Sequence, residues 1–383
     1  MHEINILRKS YHNMKRIISI TISLLFLQMG IVKAQELTMT LGGPTHSGVY
    51  NTKPIKKFTG VKWKTELIGF SQCEFIMKDG VIYTSSMKGN YSDLTRTGFR
   101  YAIESKTGKV IWIDSLNQNL SSPVLKDSVL YYGSDSRKGK QIAVNSHNGK
   151  MIWEYQLDFS SCWPPAIVGN RNYFGDHGGN WIVVDNITGK EIFKTQINTE
   201  ICNAPSQLDS IVYFSDWKGQ LHAFNSKTNK DVWVYNSGSK SFNSPAIVNG
   251  VAYLINESGT LYAINIKNGA LLWTYKTDDS MYRGPAVFDG VATLITTNGH
   301  IYAFNIKDGS VLWEIKKAGL GYTNTAIAGN IVYVGCADNH LYAFNLKTGK
   351  EIWNFKTDSP VNTPLVDNGI IYFTSGKYLY ALE

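Results

Sequence analysis

Ala343-Phe344-Asn345-Leu346-Lys347-Thr348-Gly349-Lys350-Glu351-Ile352-Trp353 reads as an apolar strand, a tight turn and a second strand that carries a tryptophan. Forty residues earlier, Ala303-Phe304-Asn305-Ile306-Lys307-Asp308-Gly309 leads to Trp313 in the same way, and before it Ala263-Ile264-Asn265-Ile266-Lys267-Asn268-Gly269 leads to Trp273. Working outward, Trp112, Trp153, Phe193, Trp233, Trp273, Trp313 and Trp353 follow one another at intervals of 41, 40, 40, 40, 40 and 40. Trp63 precedes the series by 49 residues, so the first repeat carries an insertion of about nine, placed at 87–99. A fixed period of this length marks a chain built from one repeated supersecondary unit.

Each unit reads as four short strands. In one repeat these are 244–248, 251–255, 260–266 and 271–276, separated by Asn249-Gly250, Ser258-Gly259 and Asn268-Gly269. Such pairs supply the positive φ angles that two-residue hairpins need. The strands are apolar at nearly every residue, so both faces of each sheet are expected to be covered. No stretch after residue 40 keeps a 3.6-residue period, which excludes helical repeats. Small sheets packed face to face around an axis form a propeller. Third-strand cores recur at Tyr101-Ala102, Ile142-Ala143, Ile182-Val183, His222-Ala223, Tyr262-Ala263, Tyr302-Ala303, Tyr342-Ala343 and Tyr380-Ala381, which makes eight blades.

The last unit stops at Glu383 without a fourth strand, and an unattached one, Val61-Lys62-Trp63-Lys64-Thr65-Glu66, stands near the other end. The expected fold is therefore all-β: an eight-bladed β-propeller of four-stranded antiparallel blades, in which the N-terminal strand completes the last blade and covers its edge. The recurring rings at 63, 112, 153, 193, 233, 273, 313 and 353 are expected to wedge between neighbouring blades. Burying one indole is worth at most ~4–6 kcal/mol.

Residues 1–34 read as a secretory signal: Lys15-Arg16, an apolar run from Ile17 to Ile31, then Val32-Lys33-Ala34 as a small-residue cleavage site. Residues 35–57 form a lead-in, and 58–383 a single propeller domain. No cysteine stands at the cleavage point, so a lipid anchor is not expected, and the location is periplasmic or secreted. The formal charge is +8; the first 34 residues hold five Lys/Arg and one Glu, which leaves +4 beyond them. That mild balance gives no case for nucleic acid, which calls for Lys and Arg clustered on one face. Cys73, Cys162, Cys202 and Cys336 include no adjacent or C-x-x-C pair. Cys162 and Cys202 share one repeat position in neighbouring blades, as an inter-blade disulfide or as free thiols.

The segment Ala-x-Asn-x-Lys-Thr-Gly-Lys-x-x-Trp resembles the tryptophan-docking motif of the pyrroloquinoline-quinone (PQQ)-like propeller family, over nearly the whole chain beyond the signal. Leu41-Gly42-Gly43-Pro44-Thr45-His46-Ser47-Gly48 resembles the lead-in of such proteins. The resemblance implies one of two branches. Quinoprotein dehydrogenases stack PQQ between a Trp and a disulfide of adjacent cysteines, hold Ca²⁺ and use an Asp as base. BamB-like proteins of outer-membrane β-barrel assembly are non-catalytic scaffolds. The absence of adjacent cysteines and the short chain favour the scaffold branch, with no catalytic residue, no metal and no cofactor; a small quinoprotein oxidoreductase using PQQ and Ca²⁺, or a small-ligand binder in the axial channel, is the alternative.

Chain direction puts the first-to-second and third-to-fourth strand turns on one face and the remaining connections on the other. The first face is uniform, with Asn-Gly and Lys-Thr-Gly turns. The second varies and carries large groups: Glu74, Trp163, His177, Asn203, Trp217, Asn243, Tyr282, Arg283, Tyr322 and Asn324. Aromatic and Arg side chains on loops suit contact with a partner; the competing reading is that they plug the channel mouth. The expectation is a non-enzymatic envelope scaffold, monomeric outside its complexes. Its partner is an envelope protein, with a component of outer-membrane barrel assembly as the specific case.

Overall fold

The computed structural model describes residues 38–383 except 72, 90–95, 117–118, 136–137, 162, 202, 242, 278, 282, 318, 320 and 322. Glu36–Glu383 form one compact unit. Among the described residues there is no helix, and eight antiparallel sheets follow one another along the chain, one per repeat. Blades one to seven span 76–116, 119–156, 166–196, 206–236, 246–276, 286–316 and 325–356. The eighth consists of Leu365–Asp367, Ile370–Ser375 and Tyr378–Leu382, and its fourth strand is Val61–Glu66. The closing pair runs Trp63↔Ala381, Lys64↔Tyr380, Thr65↔Leu379 and Glu66↔Tyr378. Thr59 N–H donates to the carbonyl of Glu383 at 2.6 Å, tying the two ends together.

The indole has a defined seat. In the fifth blade Tyr253, Ala263 and Trp273 lie side by side on three neighbouring strands, and the small Ala lets the two rings approach to 6.0 Å. Trp273 then crosses to the next blade, where its Nε1 donates to the Ile306 carbonyl at 2.8 Å. Trp63, Trp112, Trp153, Trp233 and Trp313 repeat this bond at 2.8–3.0 Å, and Trp353 donates instead to the Ile55 carbonyl of the lead-in at 2.9 Å. The receiving turn needs glycine: Gly269 has φ +71°, and a Cβ there would stand 2.9 Å from ring atoms of Trp233. Glycine thus serves two ends, the left-handed turn and the flat surface on which the ring rests.

The structure departs from the sequence reading in three places. The outermost strands are not covered on both faces: Leu271–Lys276 and its counterparts alternate exposed residues with half-buried or buried ones, because no described residue packs outside the rim. The insertion lengthens a hairpin, with Val81–Lys88 and Thr97–Glu104 paired as far as Lys88↔Thr97; residues 90–95 lie outside those described. The second blade gains a short fifth strand, Asn119–Leu120, paired to Asp135 and Ser134.

Residues 38–50 run inside the ring. The middle amides of five innermost strands donate into this segment: Leu125 to Thr38, Gln207 to Pro44, Ile247 to Thr45, Val287 to Ser47 and Ile327 to Gly48, at 2.7–2.8 Å. Those strands line the axis and would otherwise leave these N–H groups without a protein acceptor. The lead-in takes their bonds with its carbonyls, so the chain fills its own channel at this level.

Candidate functional site

The face opposite the uniform turns is built from second-to-third strand turns and blade-to-blade linkers, and hydrogen bonds between these lock it. His177 N–H donates to Ser160, Trp217 N–H to Glu200, Glu257 N–H to Lys240 and Thr297 N–H to Ser280. Each turn is thereby fixed to the linker that enters its own blade from the blade before. Asp176 and Asp216 cap their turns from within: Asp216 Oδ1 accepts from the amides of Lys218 and Gln220, and Asp176 Oδ1 from those of Gly178 and Asn180.

On this base stands an arc of large side chains across the second to fifth blades. Phe159 is 49% exposed and lies over Gly178, where a Cβ would meet its ring at 2.1 Å. His177 Nδ1 faces Glu200 Oε2 at 3.1 Å, with both side chains about one-third exposed. Lys240 Nζ sits 4.5 Å above the Trp217 ring. The aromatic faces are therefore held by charged neighbours at a solvent-facing edge, an arrangement suited to protein recognition.

Under the Trp217 turn lies His222, buried in the third strand of the fourth blade. Its Nδ1 is 2.9 Å from Asp231 Oδ2 and its Nε2 is 3.6 Å from Asp216 Oδ2. Its ring stacks on Phe214, with centroids 4.6 Å apart, and Phe214 stacks in turn on Trp181 at 3.9 Å. Burial opposes the imidazolium charge, but the two carboxylates outweigh it and raise the pKa above the ordinary value. Loop reading missed His222, because a His in an apolar strand gives no sign of two carboxylates converging on it.

The axial mouth has a different chemistry. Glu74 Oε1 accepts from Asn324 Nδ2 at 2.5 Å, joining the linker that enters the first blade to the one that enters the seventh. Glu74 also acts from above on the buried Tyr50 of the lead-in: burial first and this carboxylate second push the phenol well above its usual range. Burial raises the Cys73 thiol to about 11, and the charge of Arg283 works against that shift. Trp163 is half-buried, and its indole N–H has no acceptor among the described residues.

The remaining sequence candidates divide. Asn203 and Asn243 are buried and bond their own blades: Asn203 Nδ2 to the carbonyl of Ser215, Asn243 Nδ2 to that of Ile255. Both hold a linker to a strand end. Tyr282, Tyr322, Cys162 and Cys202 lie outside the described residues.

An indole-docked eight-bladed ring of this kind defines a PQQ-like β-propeller. A family model described as outer membrane protein assembly factor BamB matches residues 61–201, 158–285 and 297–383, and the chain belongs to this family. No curated protein matches. Among solved structures, BamB from Moraxella catarrhalis is 20% identical, with a TM-score of 0.70 over 84% of this chain and 98% of that one. A europium-containing methanol dehydrogenase is 12% identical, with a TM-score of 0.76 over 92% of this chain and 98% of that one. A quinohemoprotein alcohol dehydrogenase from Pseudomonas putida HK5 is 13% identical, with a TM-score of 0.75 over 91% and 80%. At these identities the likeness is one of fold, and the site must speak for function.

The disulfide of adjacent cysteines that the resemblance implies for PQQ has no counterpart in this chain. No two cysteines are adjacent in the sequence. Among the described residues no group of three or more His, Cys, Asp or Glu side chains could hold a metal ion. Backbone of the lead-in also runs along the axis.

Proposed function

We propose that this chain is an exported, non-enzymatic propeller that acts as a protein-interaction scaffold in the cell envelope, with outer-membrane protein assembly as its setting. The family description supports that setting, and the signal-like pattern of residues 1–34 supports export. The observation that carries the reading is the arc of Phe159, His177–Glu200 and Trp217–Lys240, rigidly mounted yet open to solvent. Its partner is an envelope protein that meets aromatic faces and paired charges on linkers.

The test is quantitative affinity purification from envelope fractions, comparing wild type with Trp217→Ala/Lys240→Ala. Truncating an aromatic anchor at the centre of a contact costs about 2 kcal/mol or more, roughly thirtyfold in affinity. At least one envelope protein should fall to background in the variant. Equal recovery of every partner from both proteins would refute the assignment of this face.

A further inference from the structure

The junction between the third and fourth blades breaks the docking pattern at three positions together. Phe193 stands in place of the indole. Asn229, with φ +53°, occupies the turn position held elsewhere by Gly108, Gly149, Gly189, Gly269, Gly309 and Gly349. Arg171 opens a second strand that begins with Val or Ile in every other blade: Val81, Val129, Ile211, Val251, Val291, Ile331 and Ile370. The three changes fit one another. A ring as large as Trp would meet the Cβ of Asn229, so the smaller Phe is paired with the loss of glycine. The Ser226 carbonyl, thirty-three residues beyond Phe193 and so in the indole-acceptor position, takes Arg171 Nη1 at 3.1 Å instead.

A cleft of about 850 Å³ opens here on the turn face, lined among others by Arg171, Asp185, Ile192, Asp209, Ser210 and Lys227. Its volume is in the range of small-molecule sites. Two cationic groups balance two carboxylates, so a ligand of either net charge meets as much repulsion as attraction. Guanidinium and ammonium groups can only donate, carboxylates can only accept, and the Ser210 hydroxyl does both. Adjacent hydroxyls of a sugar ring, each a donor and an acceptor, suit such a mixed set, and Ile192 offers an apolar wall to a ring face.

We propose that this cleft binds a neutral oligosaccharide. The inference is independent of the protein-contact arc on the opposite face. The test is calorimetric titration of the full mature chain with maltotetraose, cellotetraose and chitotetraose, with tetragalacturonate and tetralysine as charged controls. At least one neutral tetrasaccharide should bind, and more tightly than either control. In Arg171→Val/Phe193→Trp/Asn229→Gly, which restores the pattern of the other junctions, binding should weaken at least about tenfold, the scale of one lost charged hydrogen bond. Its melting temperature should equal or exceed wild type, which separates a closed cleft from a misfolded chain. Arg171→Gln should weaken binding with the cleft still open. The proposal is overturned if no neutral tetrasaccharide binds at millimolar concentration, if a charged control binds better, or if the restored variant binds as wild type does.

Discussion

His46 offers a quantitative test of the plugged channel. It sits in the lead-in with φ +49°, its Nδ1 3.1 Å from Ser206 Oγ and its Nε2 buried with no hydrogen-bond partner among the described residues. Burial pushes its imidazole from 6.5 down to about 4. In the unfolded chain the same ring takes up a proton below about pH 6.5. Between those values the unfolded state binds more protons, so stability rises with pH. The contribution is complete above pH 6.5 and is lost as the pH falls toward 4. At ~1.4 kcal/mol per tenfold change in proton affinity, and with the folded ring itself half-protonated at pH 4, the loss down to that pH amounts to roughly 3 kcal/mol. For a domain of this size, unfolding entropy near 0.7 kcal/mol per degree converts that to about 4 °C. Urea denaturation of wild type and His46→Asn from pH 7 to pH 4 isolates the effect, since Asn tolerates the positive φ and does not titrate. Relative to wild type, the variant should gain about 3 kcal/mol across that range. Parallel pH profiles would show that the imidazole is already solvated, and the docked lead-in would fall with it.

Other consequences follow from the same contacts. Gly269→Ala puts a methyl group against the Trp233 ring at a positive φ; thermal unfolding should show a loss of about 1–3 kcal/mol, and an unchanged melting temperature would contradict the ring's seat on the turn. His222 has the opposite linkage to His46: its raised pKa contributes stability that is present below pH 6.5 and lost as pH rises through the folded value. Stability should therefore decline on the alkaline side in wild type more steeply than in His222→Gln, as read by denaturation from pH 6 to pH 9. Deleting 58–66 removes the strand that pairs with Tyr378–Leu382 and exposes that edge; light scattering should report aggregation, and a soluble monomer with wild-type melting would refute closure by this strand.

The period of the tryptophans made most of the fold legible, because an inter-blade wedge needs the same residue type at the same place in every unit. Trp63 without a preceding repeat, and Tyr380-Ala381 without a following strand, were enough to pair the two ends. The course of residues 38–50 was not legible in the same way. Its contacts to Gln207, Ile247, Val287 and Ile327 run through backbone carbonyls, which leave no mark on residue type. Asn203 and Asn243 show the limit at the site: an asparagine that fastens a linker and one that greets a partner look alike in sequence, and only burial and the bonds to Ser215 and Ile255 tell them apart. Phe193 reads as a single changed ring in the series until Arg171 is seen to hold the Ser226 carbonyl, thirty-three residues beyond it, and Asn229 to stand at the turn position of glycine. His177 and Trp217 stood out in sequence as large groups on turns, and the structure adds what steadies them, Glu200 and Lys240.

The scaffold account is tested most directly by a photo-reactive amino acid placed in the living cell at position 217, on the aromatic arc, and separately at position 268, on the uniform turn face. Irradiation should join an envelope protein to the chain from 217 and leave 268 free of the same adduct. The reverse pattern, or adducts of equal yield from both positions, would contradict recognition through the face that carries Trp217.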